Sequence, residues 1–258
     1  MMNRFSRRRF LGGLTAGLGA TVLAGCDRLA QSAPVDRIVR GTERLTMNAQ
    51  RALLGRGGMA TEFAETDLSP VFRANGTRMP GSEDYARLLD GKFSEWRLKV
   101  DGLVQSPLEL SLDDLIRMPS RTQITRHDCV EGWSGIAKWQ GVQLGRVLNV
   151  AGLRPGARYV VFHCADELEQ TLDGSGRYYE SIDLLDAWHP QTILAYAMND
   201  RRLAVEHGAP LRLRVERQLG YKQAKYLMRA EVVSSFDRLW GGHGGYWEDR
   251  GYEWYAGI

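Results

Sequence analysis

The residues best suited to chemistry crowd into one stretch, Thr125-Arg126-His127-Asp128-Cys129-Val130-Glu131-Gly132-Trp133-Ser134, with Trp139-Gln140-Gly141-Val142 close behind. A thiol in a core is surrounded by aliphatic side chains. Here His, Asp, Glu, Gly and two Trp surround Cys129, and such neighbours set how much of it is thiolate, the form that acts as nucleophile and metal ligand. Three readings of Cys129 stay open. It is a buried structural thiol; or it joins His127, His163 and Cys164 in a zinc site, although that spacing fits no structural zinc pattern; or it is a single thiolate ligand to a soft, higher-valent metal. Glu131, two residues on, is either a proton donor and acceptor beside such a metal or a surface carboxylate.

A second cluster lies downstream. His207-Gly208-Ala209-Pro210-Leu211-Arg212 leads into Gly220-Tyr221-Lys222-Gln223-Ala224-Lys225. A phosphate-bearing cofactor needs cations and exposed backbone N–H groups, and a Gly-containing turn with two lysines after an arginine-bearing strand supplies both. The competing reading, a solvated basic strand edge, applies above all to Arg214 and Arg217. Phe72-Arg73-Ala74-Asn75-Gly76 and Phe162-His163-Cys164-Ala165-Asp166 are weaker candidates: the first also reads as an ordinary Asn-Gly turn, the second as a strand end with a plain buried thiol. A Cys129–Cys164 disulfide is allowed in an oxidising compartment, but it would consume the proposed ligand.

The elements that must hold these residues follow from periodicity. Trp96–Val100 alternates as a half-buried strand, and Asp101-Gly102 reads as a hairpin turn into Leu103-Val104. Ser111 is an N-cap for a helix over Leu112–Arg117, which stops before Pro119. Leu144–Ala151 reads as a helix capped by Gly152, and Ser181–Trp188 as a short capped helix. Strands are expected over Arg158–His163, Thr192–Ala197, Leu211–Val215 with its arginines on one face, and Tyr226–Val233, with a turn at Asn199-Asp200. Strands and short helices mix without regular βαβ spacing, so the fold class is α+β with a mixed sheet.

The N-terminus reads as an address. Ser6-Arg7-Arg8-Arg9-Phe10-Leu11, followed by the weakly apolar run Leu11–Ala24, is a twin-arginine signal. Leu23-Ala24-Gly25-Cys26 resembles a lipobox in which Cys26 is lipidated; a plain small-residue cleavage site is the alternative. The expected organisation is a signal over residues 1–25, a polar tether over 26–68 and a single catalytic domain over 69–258. The formal charge of +3 owes four positive charges to Arg4, Arg7, Arg8 and Arg9, and setting those aside leaves 30 basic against 31 acidic residues, with no argument for nucleic-acid binding. Three cysteines exclude a disulfide scaffold.

Cys129-Val130-Glu131-Gly132-Trp133-Ser134, then Trp139-Gln140-Gly141-Val142, resembles the molybdenum-cysteine segment of the sulfite oxidase family of molybdopterin enzymes, nearest its bacterial periplasmic branch, over about Ser69 to Val233. The resemblance implies a sulfite-oxidase-type molybdopterin-binding domain, a Mo-molybdopterin cofactor and Cys129 as the ligand to molybdenum. It implies cofactor contacts at Arg73, Asn75, Cys164, His207, Arg212, Lys222, Gln223, Ala224 and Lys225, with Glu131 beside the metal. The sulfite-oxidising branch carries an arginine shortly after its cysteine, whereas Gly132-Trp133-Ser134-Gly135-Ile136 holds no cation. The expected reaction is therefore two-electron oxygen-atom transfer from an S-oxide or N-oxide, protein methionine sulfoxide included. Sulfite oxidation with an external cytochrome and a non-catalytic partner-binding lipoprotein are the alternatives. With no Cys-x-x-Cys-His haem motif, electrons are expected from a separate membrane haem protein or cytochrome. The enzyme is expected to be monomeric, on the outer side of the cytoplasmic membrane, anchored through Cys26. The aromatic tail Trp240–Ile258 is expected to pack along the domain, line the pocket mouth or dock a partner.

Overall fold

The computed structural model describes residues 33–55, 57–171 and 176–258. Arg7, Arg8 and Cys26, and with them the expected signal and lipobox, lie outside the described residues. The chain divides into two compact units, Met1–Leu53 and Leu54–Ile258. The described part of the first is almost entirely one helix, α1 (Ala33–Leu54). The stretch expected as a polar tether over 26–68 is thus helical over Ala33–Leu54, and Gly55, Gly57 and Gly58 follow the end of that helix. No helix among the described residues is long and apolar enough to cross a membrane.

The second unit also begins earlier than residue 69. Ala60 N–H donates to Gln191 Oε1 at 2.8 Å and Gln191 Nε2 donates back to Ala60 O at 3.0 Å, while Phe63 N–H donates to Ile124 O at 2.9 Å. These residues carry no apolar periodicity because they are held by hydrogen bonds along a sheet edge.

Among the described residues ten strands form two sheets. The first has the order β2 (Leu108–Leu110), β1 (Leu98–Gly102), β10 (Leu227–Val233), β5 (Tyr159–Glu167), β6 (Arg177–Asp183). It is mixed, because β1 runs parallel to β10 while its other pairs are antiparallel. The second has the order β3 (Ser120–Asp128), β4 (Ser134–Gln143), β7 (Ile193–Met198), β8 (Arg201–Arg202), with β9 (Arg212–Arg214) also pairing with β7. Short helices α2 (Glu83–Asp90), α3 (Leu112–Arg117), α4 (Leu144–Ala151) and α5 (Leu184–Ala187) complete the α+β fold. The main apolar cluster draws on both sheets, with Val160, Phe162 and Val232 from the first and Val142, Leu194 and Leu213 from the second.

Local signals were read well where they are chemically local. Ser111 caps α3 by accepting from Asp114 N–H, and the Asp114 carboxylate reaches back to Ser111 N–H. Gly152 closes α4 at φ +66, and Asn199 and Asp200 turn at φ +49 and +60. Two expectations fail. Gly102 is not the hairpin turn: it stays in β1 opposite Val232, where an added Cβ would lie 2.2 Å from Val232 O. Ser181 lies inside β6, and Asp183 caps α5 instead.

Candidate active site

β3 and β4 pair from Ser120↔Val142 to Asp128↔Ser134, and the short loop closing them holds Cys129. Cys129 N–H donates to Trp133 O at 2.9 Å and Gly132 N–H donates to Cys129 O at 3.1 Å. Gly132 turns the loop at φ +82, a backbone region open to glycine. The thiol is thus fixed at the end of a hairpin. Burial, reinforced by the nearby Glu131 carboxylate, raises its pKa.

Sequence reasoning did not read β3 or β4 as strands. The inward face of β3 is Gln123, Thr125 and His127, all buried but all polar, so no apolar alternation marks it. Those side chains meet a polar core. Gln123 Nε2 donates to Glu216 Oε1 at 2.8 Å, and Arg214 donates to Glu216 Oε1 at 2.9 Å and to His127 Nδ1 at 3.1 Å. Accepting from Arg214 requires a bare Nδ1, so His127 is a neutral imidazole protonated at Nε2. Burial and the repulsion of Arg214 and Arg212 hold its pKa well below the usual histidine value.

Cys129 opens into a cleft also lined by Asn75, Glu131, Asp166, Gln223 and Lys225. Six parts of the chain separated in sequence converge there. Phe72 anchors the Asn75 loop. Its ring lies 5.7 Å from His127, 5.5 Å from Trp139 and 5.7 Å from His207, and it fills the space over Gly135 that a Cβ would occupy. The Gln223–Lys225 segment is tied to the same loop, because Lys225 Nζ and Tyr226 OH both donate to Thr77 O.

Among the described residues neither Arg212 nor Lys225 makes a direct ion pair, although the Glu216 carboxylate acts on Arg212 and those of Asp166 and Glu206 on Lys225. Arg212 is fully buried, donates to the carbonyls of His207 (3.1 Å) and Gln223 (3.3 Å), and lies 4.9 Å from the Trp139 ring centroid. Burial, with Arg214 alongside, pulls its pKa down to about 9. Burial and Arg212 pull Lys225 down to about 7. Arg212 Nε, His207 Nδ1, Asn75 Oδ1 and Gln223 Oε1 are buried without a hydrogen-bond partner. Buried polar atoms are normally satisfied, so a cleft that holds the unpartnered Asn75 Oδ1 and the Lys225 ammonium fits a polar, anionic ligand. A phosphate suits Lys225, with Arg212 buried behind the lining, and a soft metal suits the Cys129 thiolate.

The remaining expected contacts fall elsewhere. Lys222 is fully buried between Glu180 and Glu248, 2.5 Å from an oxygen of each, and cannot reach a phosphate. Burial, and after it the repulsion of the Glu248 carboxylate, raises the Glu180 pKa well above its usual range. Arg73 is exposed and does not line the cleft. Cys164 is a free thiol buried in β5 and lies outside the cleft lining, which takes Asp166 from the same strand instead. Burial lifts the Asp166 pKa to about 6. His207 and Ala224 flank the cleft without lining it; Ala224 contributes its carbonyl to Leu213 N–H. Glu131 lines the mouth but is exposed, with Trp133 Nε1 donating to it at 3.2 Å. Arg214 and Arg217 are buried in ion pairs with Glu216 and Asp186, so neither is a solvated strand edge. The zinc reading has no geometry. His127 is packed against arginines, His163 pairs with Glu231 at 2.9 Å, and among the described residues no three His, Cys, Asp or Glu side chains group to hold a metal. Tyr178 lines the cleft with no sequence signal pointing to it, whereas Asp166 comes from the Phe162–Asp166 candidate stretch and Trp247 and Tyr252 from the aromatic tail for which lining the pocket mouth is one expected outcome.

Residues 87–239 match the family described as "Oxidoreductase molybdopterin binding domain". A putative protein-methionine-sulfoxide reductase subunit, YedZ1, from Azospira oryzae is 35% identical over 98% of this chain and 88% of its own length. The protein-methionine-sulfoxide reductase catalytic subunit MsrP of Xanthomonas axonopodis pv. citri is 32% identical over 88% of this chain and 70% of its own. The solved sulfane dehydrogenase SoxCD of Paracoccus pantotrophus aligns over 55% of this chain and 39% of that one, at 24% identity and a TM-score of 0.49.

Proposed function

Since this chain belongs to the family of oxidoreductases with a molybdopterin-binding domain, we propose that it reduces S-oxides, protein methionine sulfoxide among them, with Cys129 as the protein ligand to the molybdenum of its Mo-molybdopterin. The observation that carries the reading is the convergence, in one cleft, of the hairpin-held Cys129 thiol with Lys225, Gln223 and Asn75. Bound there, the cofactor supplies two-electron oxygen-atom transfer. Lys225 would hold its phosphate, with Arg212 buried behind the lining, and Gln223 and Asn75 would take its polar edges, with His207 flanking them.

Reducing an S-oxide takes two electrons and two protons and releases the sulfide and water. Glu131, exposed at the mouth and steadied by Trp133, passes protons from solvent to the departing oxygen. Its carboxylate also disfavours a sulfite anion. At roughly 4 Å and an effective dielectric near 20, two like charges repel by about 4 kcal/mol, whereas a neutral S-oxide meets no such penalty. Lys225 is the one cation among the described residues lining the cleft, and it faces the cofactor phosphate in this reading.

The relatives are named as subunits, which supports electron delivery by a separate membrane haem protein. Export by the twin-arginine route, anchoring through Cys26 and a monomeric catalytic subunit beyond the cytoplasmic membrane complete the proposal. The test is metal and pterin analysis of protein from a host that makes the cofactor, followed by assay with reduced viologen as donor. Equal amounts of molybdenum and chain, with turnover of methionine sulfoxide and weak sulfite oxidation, are expected. Protein free of molybdenum overturns the reading, and efficient sulfite turnover without S-oxide reduction reverses the choice of substrate.

A further inference from the structure

The family match ends at residue 239, yet the chain beyond it builds part of the cleft. Trp247 and Tyr252 line it, beside Val130 and Leu168. Their ring centroids are 5.3 Å apart with planes inclined by 31°, and Tyr252 also meets the Tyr221 ring edge-on at 5.2 Å. The result is a broad aromatic face on the cleft that receives the Cys129 thiol.

This face is held in place. Tyr246 N–H donates to Tyr179 O at 3.0 Å, Leu219 N–H donates to Ala256 O at 2.9 Å, and Tyr221 OH donates to Glu253 O at 2.6 Å. Trp247 sits between two buried neighbours, Tyr246 and Glu248, and Glu248 is paired with Lys222 at 2.5 Å. The ring therefore occupies a fixed position before any substrate arrives, which limits the ordering cost of binding. An aromatic face offers dispersion and sulfur–aromatic contact to alkyl groups on a sulfur atom, and offers nothing comparable to a compact oxyanion.

We propose that the C-terminal segment is the substrate-selecting wall of the enzyme, with Trp247 and Tyr252 gripping the alkyl groups of a dialkyl S-oxide such as the methionine sulfoxide side chain. The proposal rests on the S-oxide reading above and adds what selects the substrate. The test uses cofactor-loaded enzyme, free methionine sulfoxide and reduced viologen, and measures KM and kcat separately for Trp247→Ala, Trp247→Phe and Tyr252→Ala, with molybdenum content determined for each. KM is expected to rise up to about tenfold in each alanine variant, the scale of a lost sulfur–aromatic contact, and to recover largely in Trp247→Phe. An unchanged KM in both alanine variants, at normal molybdenum content, overturns the wall and leaves the S-oxide reading standing. Lost molybdenum with KM unchanged assigns the segment to cofactor retention and overturns the wall as well. Wild-type enzyme that turns over no S-oxide overturns both. Tyr252 is 41% exposed, so its alanine variant carries the test should Trp247→Ala fail to fold.

Discussion

At the scale of single residues the site depends on a thiol and a lysine whose surroundings disfavour their charged forms until a ligand arrives. Burial raises the Cys129 pKa, so the free protein keeps the thiol protonated and metal binding releases the proton. Cys129→Ser is expected to lose molybdenum, because a serine hydroxyl is a harder and less acidic donor. It should change unfolding free energy by less than about 1 kcal/mol, since the side chain sits in a loop. Elemental analysis and denaturant melts of the same preparation check both halves. Lys225 gives a pH signature. Its folded pKa of about 7 lies below the ordinary 10.5, so between those values the unfolded chain binds the additional proton and stability rises with pH. The penalty is fully present below about pH 7. Cofactor-free protein should therefore gain stability from pH 7 toward pH 10, by at most about 5 kcal/mol, and Lys225→Met should flatten that rise. Melts at three pH values decide it, and an identical slope in the variant refutes the assignment. Lys225 was legible in the sequence because its neighbours spell out a phosphate loop. Lys222, three residues earlier, carries the same letters, and only the two carboxylates packed against it remove it from the site.

At the scale of elements, the β3–β4 hairpin positions Cys129 and the Gly220–Lys222 turn leads into Gln223 and Lys225 on the same cleft. The turn passes so close to β3 that a Cβ on Gly220 would lie 2.5 Å from His127 Nε2 and 3.1 Å from Asp128 O. Gly220→Ala must push the turn away from the residue preceding Cys129. Cofactor occupancy is expected to fall at least tenfold while the fold survives, since the two sheets need not move. Pterin and molybdenum content against circular dichroism separates these effects, and full occupancy would show that the turn can yield. Element prediction succeeded where the cause is local, as in the Ser111 capping box with Asp114. It failed for β3, because an inward face of Gln123, Thr125 and His127 meets Arg214 and Glu216 rather than oil. It failed for Ser181 because a serine suited to a helix cap is equally suited to a strand, where its hydroxyl donates to Gly244 O.

At the scale of the whole molecule, one buried charge cluster links three distant segments: Glu180 from β6, Lys222 from the cofactor turn and Glu248 from the C-terminal tail. The tail both packs along the domain and lines the cleft, two of the outcomes expected for it. Lys222→Met leaves two buried carboxylates facing each other without a cation. Removing one partner of a buried ion pair costs about 3–5 kcal/mol, so the variant should melt far earlier and release the tail. Limited proteolysis beyond Phe236 together with a thermal melt checks this. A stable variant with a protected tail would show that hydrophobic packing alone retains the segment.

The sequence by itself pointed to the kind of chemistry: a cysteine among polar and aromatic residues, and a Gly-containing turn with two lysines after an arginine-bearing strand, are patterns suited to a cofactor site, and their residue types survive any folding. It also determined the locally capped helices and the strands with apolar faces. Only the tertiary structure decided which of the candidate cations face the cleft, that Asp166 rather than Cys164 lines it, and that the tail supplies its aromatic wall. These outcomes depend on which side of an element meets which neighbour, and on desolvation and charge pairing between residues such as Glu180 and Glu248 that stand 68 positions apart. No short window of sequence contains that information.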